Sequence, residues 1–235
     1  MAPEPLILAI ETATMAGSIA LVRADEVVGG FKGDPGISHS NTLLADLDKL
    51  LSETNIELAQ VDLFAVAAGP GSFTGLRIGI ATVKALAETL DRPCAAIPTL
   101  HAVALSGGPS ESTVALLPAG RGEVFAQLFS VSGDDVVTAL DDAAHIAPAK
   151  MIEKYGSLEN VLWCGEGANA QRELIENAAE SKKWRIASLI EERADGLAHY
   201  VSRLALQSFR QNQLVTPDAL QAIYVRPSDA ELKVS

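Results

Sequence analysis

Gly69, Pro70, Gly71 and Ser72 form a turn between an apolar run and a long segment with helical spacing. A glycine-rich turn that opens a helix offers unpaired backbone N–H groups and the positive end of the helix dipole, which together suit a phosphate. The spacing argues against the common nucleotide folds. Gly69-x-Gly71-x-x-x-Gly75 is not G-x-G-x-x-G, it follows the fourth predicted strand, and no carboxylate ends the next strand near Pro98-Thr99. A Walker loop fails as well, because no Gly-Lys-Ser/Thr follows. Ser72 reads as a helix N-cap. Cys94 and Cys164 stand far apart in no C-x-x-C arrangement, which predicts two buried thiols and neither a disulfide framework nor a zinc site. His145 and His199 show no acidic or cysteine neighbour at ligand spacing and read as surface or packing residues. Glu191-Glu192 reads as a solvated run.

The elements that must position these residues follow from periodicity. Leu6 to Ile10 is a continuous apolar run, expected as a central strand, and Ser18 to Arg23 and Val27 to Phe31 complete a meander. Ser38 to Asn41 offer caps to a one-sided helix through Leu43, Leu44, Leu47, Leu50 and Leu51. A strand at Leu63 to Ala68, the helix Ser72 to Leu90 and a strand at Cys94 to Ile97 follow, giving βββαβαβ. A similar order restarts near Thr113: strands at Thr113 to Leu117, Glu123 to Val131 and Val136 to Leu140, a helix at Pro148 to Tyr155, a strand at Val161 to Cys164, a helix at Ala168 to Ala179 and a strand at Arg185 to Ala187. Asp195 to Phe209 is the final helix. The repeat predicts a two-lobed α/β protein, with residues 1–105 as the N-terminal lobe, completed by about 195–235, and residues 106–194 as the C-terminal lobe.

The helix from Ser72 has two apolar sides. Leu76, Ile80, Val83, Ala87 and Leu90 share one face, while Ile78, Ala81, Thr82, Ala85 and Thr89 occupy the other in place of charges. One side can meet the chain's own sheet; the second needs another layer or another protein. Arg77 and Lys84, its two cations, lie seven residues apart on one side, where they either snorkel or pair with acidic groups of a partner.

The formal net charge of −12, with acidic residues spread along the chain, disfavours unaided binding to nucleic acid or an anionic membrane. Composition is that of a globular protein, 48% hydrophobic and 20% charged. Apolar runs fall short of a membrane span, and no Lys or Arg precedes Arg23, so a cytoplasmic protein without a signal peptide is expected.

The segments ILAIETATMAGSIALV, HSNTLLADLDKLL, AVAAGPGSFTGLRIGIATVKALA, GRGEVF and YVRP together resemble the TsaB (YeaZ) family. The resemblance implies a duplicated actin-like, Hsp70-like fold of the sugar-kinase superfamily, with RNase H-like βββαβα repeats. It also implies a non-catalytic subunit that pairs with TsaD, together with TsaE, for threonylcarbamoylation of adenosine next to the anticodon in tRNA, with tRNA met only through the complex. The alternative is an ATP-dependent kinase or hydrolase working in its own cleft. Relatives tend to have Asp-Thr-Ser-Thr where this chain has Glu11-Thr12-Ala13-Thr14, and they usually show Asp-Ala-Arg at the turn that here reads Pro118-Ala119-Gly120-Arg121-Gly122, without a carboxylate. Glu11, Thr12, Thr14, Gly120 and Arg121 are thus the candidates for a weak nucleotide site, but one carboxylate is a poor holder of magnesium. No cofactor is expected to be required by this chain, and ATP or ADP with Mg is left to the complex interface. The catalytic relative carries two histidines on one helix; here His101 stands with Leu105 one turn on, so no metal is expected. The family's past association with glycoprotease activity raises Ser72 with His39 or His101 as nucleophile and base, yet nothing in the sequence sets them within reach. With TsaD as the partner, the second helix face, Ile78, Ala81, Thr82 and Ala85 at its centre with Arg77 and Lys84, helped by Leu47 from the edge of the neighbouring helix, is expected to pack against the matching helix of TsaD, or against a second copy when the chain is alone, since an exposed apolar stripe is a liability.

Overall fold

A computed structural model describes residues 4–34, 36, 39–179, 182–187 and 193–225. The chain divides into two compact units, Met1–Ala102 with Ile190–Ala222 and Val103–Leu189 with Ile223–Ser235. The boundary falls within an eight-residue helix.

In the first unit, β1 (Leu6–Glu11), β2 (Ser18–Arg23) and β3 (Glu26–Lys32) form the antiparallel meander, and β4 (Leu63–Gly69) and β5 (Cys94–Pro98) add in parallel beside β1. The sheet order is β3-β2-β1-β4-β5. Every residue of β1 and β4 is buried, because helices cover both faces. Leu6, Leu8 and Ile10 point into a core shared with Leu43, Leu47 and Leu50 of α1 (His39–Thr54) and with Ile80, Val83 and Ala87 of α2 (Phe73–Leu90). Ile7 and Ala9 alternate to the opposite face, where the last helix, Ala198–Arg210, crosses β1, β2, β4 and β5. The outer edge of β5 is closed by a backbone exchange, Cys94 N to Val215 O and Val215 N to Cys94 O, each 2.9 Å.

The helix α3 (Thr99–Ser106) leads into the second unit, whose strands are β6 (Ser110–Gly120), β7 (Glu123–Val131), β8 (Val137–Ala139), β9 (Ala144–Ile146), β10 (Asn160–Cys164) and β11 (Lys183–Ala187). The order β11-β10-β6-β7-β8 repeats the first sheet, with the parallel pairs β6–β10 and β10–β11 matching β1–β4 and β4–β5. One added strand, β9, pairs with β7. The core joins Val114, Leu116 and Trp163 to Met151 and Tyr155 of α4 (Pro148–Tyr155) and to Ile175. The single helix expected over 168–179 is two, α5 (Glu166–Ala170) and α6 (Arg172–Ala179), interrupted at Gln171. The final helix, α7 (Ala198–Arg210), begins three residues later than its periodicity suggested, because Asp195 is drawn into a side-chain cluster. Glu191 and Glu192 lie outside the described residues.

Candidate functional site

The glycine turn is built for close packing. Ser72 caps α2, its Oγ accepting from Gly75 N at 3.2 Å, as its place in the sequence predicted. Its own N–H donates to Ala13 O at 2.8 Å, and Thr12 Oγ1 donates to Gly75 O at 2.7 Å, so the turn after β1 lies directly on the first turns of α2. A Cβ on Gly75 would stand 1.8 Å from Thr12 O, one on Gly79 2.3 Å from Thr12 Oγ1, and one on Gly71 2.6 Å from Ala13 O. The glycines therefore admit the Thr12–Ala13 backbone and the Thr12 side chain directly against the first turns of α2.

Glu11 is fully buried at the end of β1. Its Oε1 accepts from Thr14 N at 2.7 Å, and its Oε2 accepts from Thr14 Oγ1 at 2.8 Å and Ser18 Oγ at 3.3 Å. Ser18 Oγ in turn accepts from Ala198 N at 2.9 Å, capping α7 in place of a local side chain. The carboxylate thus ties one turn to a helix 180 positions further on. Beside it lies a cavity of about 20 Å³, room for a water and far short of a nucleotide. Of the other candidates in this group, Thr14 belongs to the same knot, while Thr12 is bonded to Gly75 O at the start of α2. Gly120 and Arg121 form the tip of the β6–β7 hairpin in the second unit, where Gly120, Arg121 and Gly122 all take left-handed backbone at φ 78°, 52° and 80°.

Arg193, Asp195 and His199 form a further cluster that the sequence reading missed. Arg193 Nε and Nη2 donate to the two Asp195 oxygens at 2.8 and 2.9 Å, and His199 Nδ1 lies 3.3 Å from Asp195 Oδ2. Burial alone would raise the Asp195 carboxyl, but the bonds from His199 and Arg193 outweigh it and hold the group at about 2. His199 therefore does have an acidic neighbour, and the signal was present as an i,i+4 spacing across the helix start. His145 also has one: its Nε2 stands 2.8 Å from Glu123 Oε2, brought there by the β7–β9 pairing, which no local spacing reveals. His101 lies on α3, where burial pushes its pKa down. His39 opens α1, and its side chain lies outside the described residues. Cys94 and Cys164 are buried free thiols, as expected, pushed up to about 11 and about 12 chiefly by burial. Among the described residues no group of three or more His, Cys, Asp or Glu could hold a metal ion.

The outer face of α2 is the remaining candidate. Leu76, Ile80, Val83 and Ala87 are buried as the periodicity required. On the other side Ala81 and Ala85 are exposed, Thr82 is half-buried, and Phe73 is 40% exposed. Ile78 is half-buried against the edge of the core, so it serves the lobe as well as the surface. Leu47, expected at the docking surface, instead fills the core at 5% exposure; helical rotation gives that place on α1 to Leu44, 68% exposed. The two cations divide. Arg77 rests on the Phe73 ring with its guanidinium carbon 4.0 Å from the centroid, while Lys84 turns toward Asp218 O at 3.4 Å.

A family model described as "TsaD: tRNA N6-adenosine threonylcarbamoyltransferase" matches residues 36–223. The protein named tRNA threonylcarbamoyladenosine biosynthesis protein TsaB of Bacillus subtilis is 28% identical over 178 residues, 75% of this chain and 77% of that protein. Proteins of the same name from Haemophilus influenzae and Escherichia coli are each 34% identical over 122 residues, about half of each chain. Among solved structures, YeaZ from Pseudomonas aeruginosa superposes with a TM-score of 0.74 at 23% identity, covering 94% of this chain and 99% of that one. A second structure, titled as similar to the peptidase YEAZ from the same organism, gives 0.77 at 24% identity over 94% and 100%. At these identities the superpositions establish the fold.

Proposed function

This chain belongs to the TsaD family, and we propose that it serves there as a non-catalytic partner subunit in making threonylcarbamoyladenosine in tRNA. It pairs with the TsaD enzyme through the outer face of α2 and works with TsaE in the cytoplasm, meeting tRNA through the assembly. The observation that carries this reading is the uncovered, small-residue and apolar face of α2 on a helix whose other face is fully committed to the core. The names of the TsaB relatives support the same role. The chemistry of the first turn supports it as well: the Glu11 oxygens accept from Thr14 and Ser18, and the glycine turn is filled by Thr12–Ala13. Any ATP or ADP with magnesium then acts at the complex interface and not within this chain's own turns.

Mixing the full chain with TsaD and TsaE, and reading complex mass and tRNA modification, tests the proposal. Ala85→Arg is a cleaner probe than Ile78→Asp, because Ala85 is exposed and Ile78 touches the core. Ala85→Arg should weaken pairing with TsaD at least about tenfold by burying an unpaired charge and leave the fold unchanged. Undiminished pairing by a folded Ala85→Arg protein would overturn the assignment of this face.

A further inference from the structure

We propose that the outer edge of β8 takes an extended, basic-flanked segment of a partner protein as a further strand of the second sheet. The edge belongs to the second unit, so neither the proposal nor its test depends on α2 or on TsaD. β8 (Val137–Ala139) ends the sheet order, and its bonding to β7 runs past both of its ends: Ser132 N donates to Val136 O at 3.0 Å, and Leu140 N donates to Leu128 O at 2.9 Å. Ser130 stands opposite Thr138 in the same register, so the backbone polar groups of Val136, Thr138 and Leu140 face β7. Those of Val137 and Ala139 therefore point away from the sheet. Among the described residues these outward N–H and C=O groups have no partner. They are the groups that an added strand pairs with.

The side chains define what fits. Val136 and Leu140, 48% and 50% exposed, share a face with Thr138, which is exposed as well. A groove of about 490 Å³ opens against the start of the strand, lined in part by Val136, Thr138, Ser130, Ser132 and, from β6, Ser110 and Glu111. In an added antiparallel strand, the residues opposite Val136, Thr138 and Leu140 form the non-hydrogen-bonded pairs, whose side chains approach most closely. Apolar or β-branched residues at those alternate places cover Val136 and Leu140.

Charge selects the occupant. From Gly122 to Ala149 the chain has no Lys or Arg and five carboxylates, and four of these bracket β8: Asp134 and Asp135 before it, Asp141 and Asp142 after it. Asp141 is held by Tyr155 and Lys154, whereas Asp134 and Asp142 are exposed. A second copy pairing antiparallel through the same outward groups centres on Thr138 and sets Asp134 and Asp135 of one chain against Asp142 and Asp141 of the other. Like charges oppose that dimer at both ends. A strand with Lys or Arg at both ends of an alternating apolar centre turns the same geometry into attraction.

Fluorescence anisotropy of the labelled peptide Lys-Arg-Val-Thr-Val-Thr-Val-Lys-Arg, titrated with the full chain, tests this. Saturable binding is expected below about 1 mM, and replacing the four basic residues by Glu should weaken it at least about tenfold. Two further peptides, N-methylated at alternate residues along one edge or the other, should differ: one keeps binding and the other loses it. Ala139→Pro removes an outward donor and leaves the bonds to β7 in place, and it should weaken binding about tenfold or more. Asp134→Asn and Asp142→Asn should each weaken it about two- to fivefold. No saturation, equal binding of the two methylated peptides by the unmodified chain, or full binding by a folded Ala139→Pro protein would overturn the proposal. A dimer in sedimentation equilibrium that Ala139→Pro abolishes would also overturn it, by giving the edge to a second copy.

Discussion

The two units share one strand order and differ in what they hang between their last two strands, β4 and β5 in the first and β10 and β11 in the second. In the first, the crossover is the 18-residue α2, continuous and apolar on two sides. In the second it is α5 and α6, broken at Gln171 and polar outside, with Arg172 paired to Glu176 at 3.3 Å. Yet both crossovers begin alike. Gly71 and Gly75 lie on the backbone just beyond β1, and Gly165 and Gly167 lie on Leu116 of β6, where added Cβ atoms would stand 2.3 and 2.8 Å from it. The glycine opening thus belongs to the packing of the repeated unit, and only the long, two-faced helix distinguishes the first copy. A motif that looks like a ligand cradle in one half is set in context by its counterpart in the other.

Substituting the glycines is the sharpest way to break this comparison. Gly75→Ala should cost about 3 kcal/mol or more and Gly167→Ala about 2–3 kcal/mol, since in both the added atom meets backbone that cannot yield. Thermal or denaturant unfolding that found Gly75→Ala harmless would reopen the turn as space for a ligand.

Each unit also has a carboxylate that gathers several polar bonds. Glu11→Ala should lose about 2–4 kcal/mol, because Thr14 and Ser18 are left as buried groups without their acceptor. Asp141 accepts from Leu128 N at 2.7 Å and Tyr155 Oη at 3.0 Å and meets Lys154 at 2.7 Å, but it is nearer solvent; Asp141→Ala should cost about 1–2 kcal/mol. Equal losses in denaturant would remove the distinction drawn between a buried knot and a surface one.

Asp195 sharpens the contrast through pH. Its folded pKa, about 2, lies below the ordinary 3.8. The stability it contributes is therefore present above about pH 4 and is lost as pH falls toward 2, since the unfolded chain takes up the proton first. Asp195→Asn should flatten that part of the stability profile; an unchanged acid slope would exclude the cluster as its source. The smallest effect concerns the thiols. Neither should react with a thiol reagent near pH 8 in the folded chain. On partial unfolding Cys94, whose outer side is covered by the single backbone bridge to Val215, should react before Cys164, whose strand is paired with β6 and β11 on both sides.

Much of this architecture could be read from residue order. The fully apolar runs Leu6 to Ile10 and Leu63 to Ala68 are the two strands buried on both faces, and the two-sided helix is where its periodicity put it. α3 escaped because Leu100 and Ala102 to Leu105 are all buried, so its sequence has no polar side to mark a period. β9 escaped because three residues carry no pattern. The site was less legible. Spacing identified Ser72 as a cap, but no local rule links Ser18 to Ala198 or tells Leu44 from Leu47, since those depend on how distant segments and helix rotations settle.

The bond from Ala198 to Ser18 has a consequence for synthesis order. The face of the first sheet that carries Ile7 and Ala9 is covered by α7, whose first residue leaves the ribosome only after all of the second unit's strands have been made. The N-terminal strands must therefore wait, half-clothed, while the inserted unit is translated. The nascent chain's exposure to chaperones and proteases should be longest over its earliest residues.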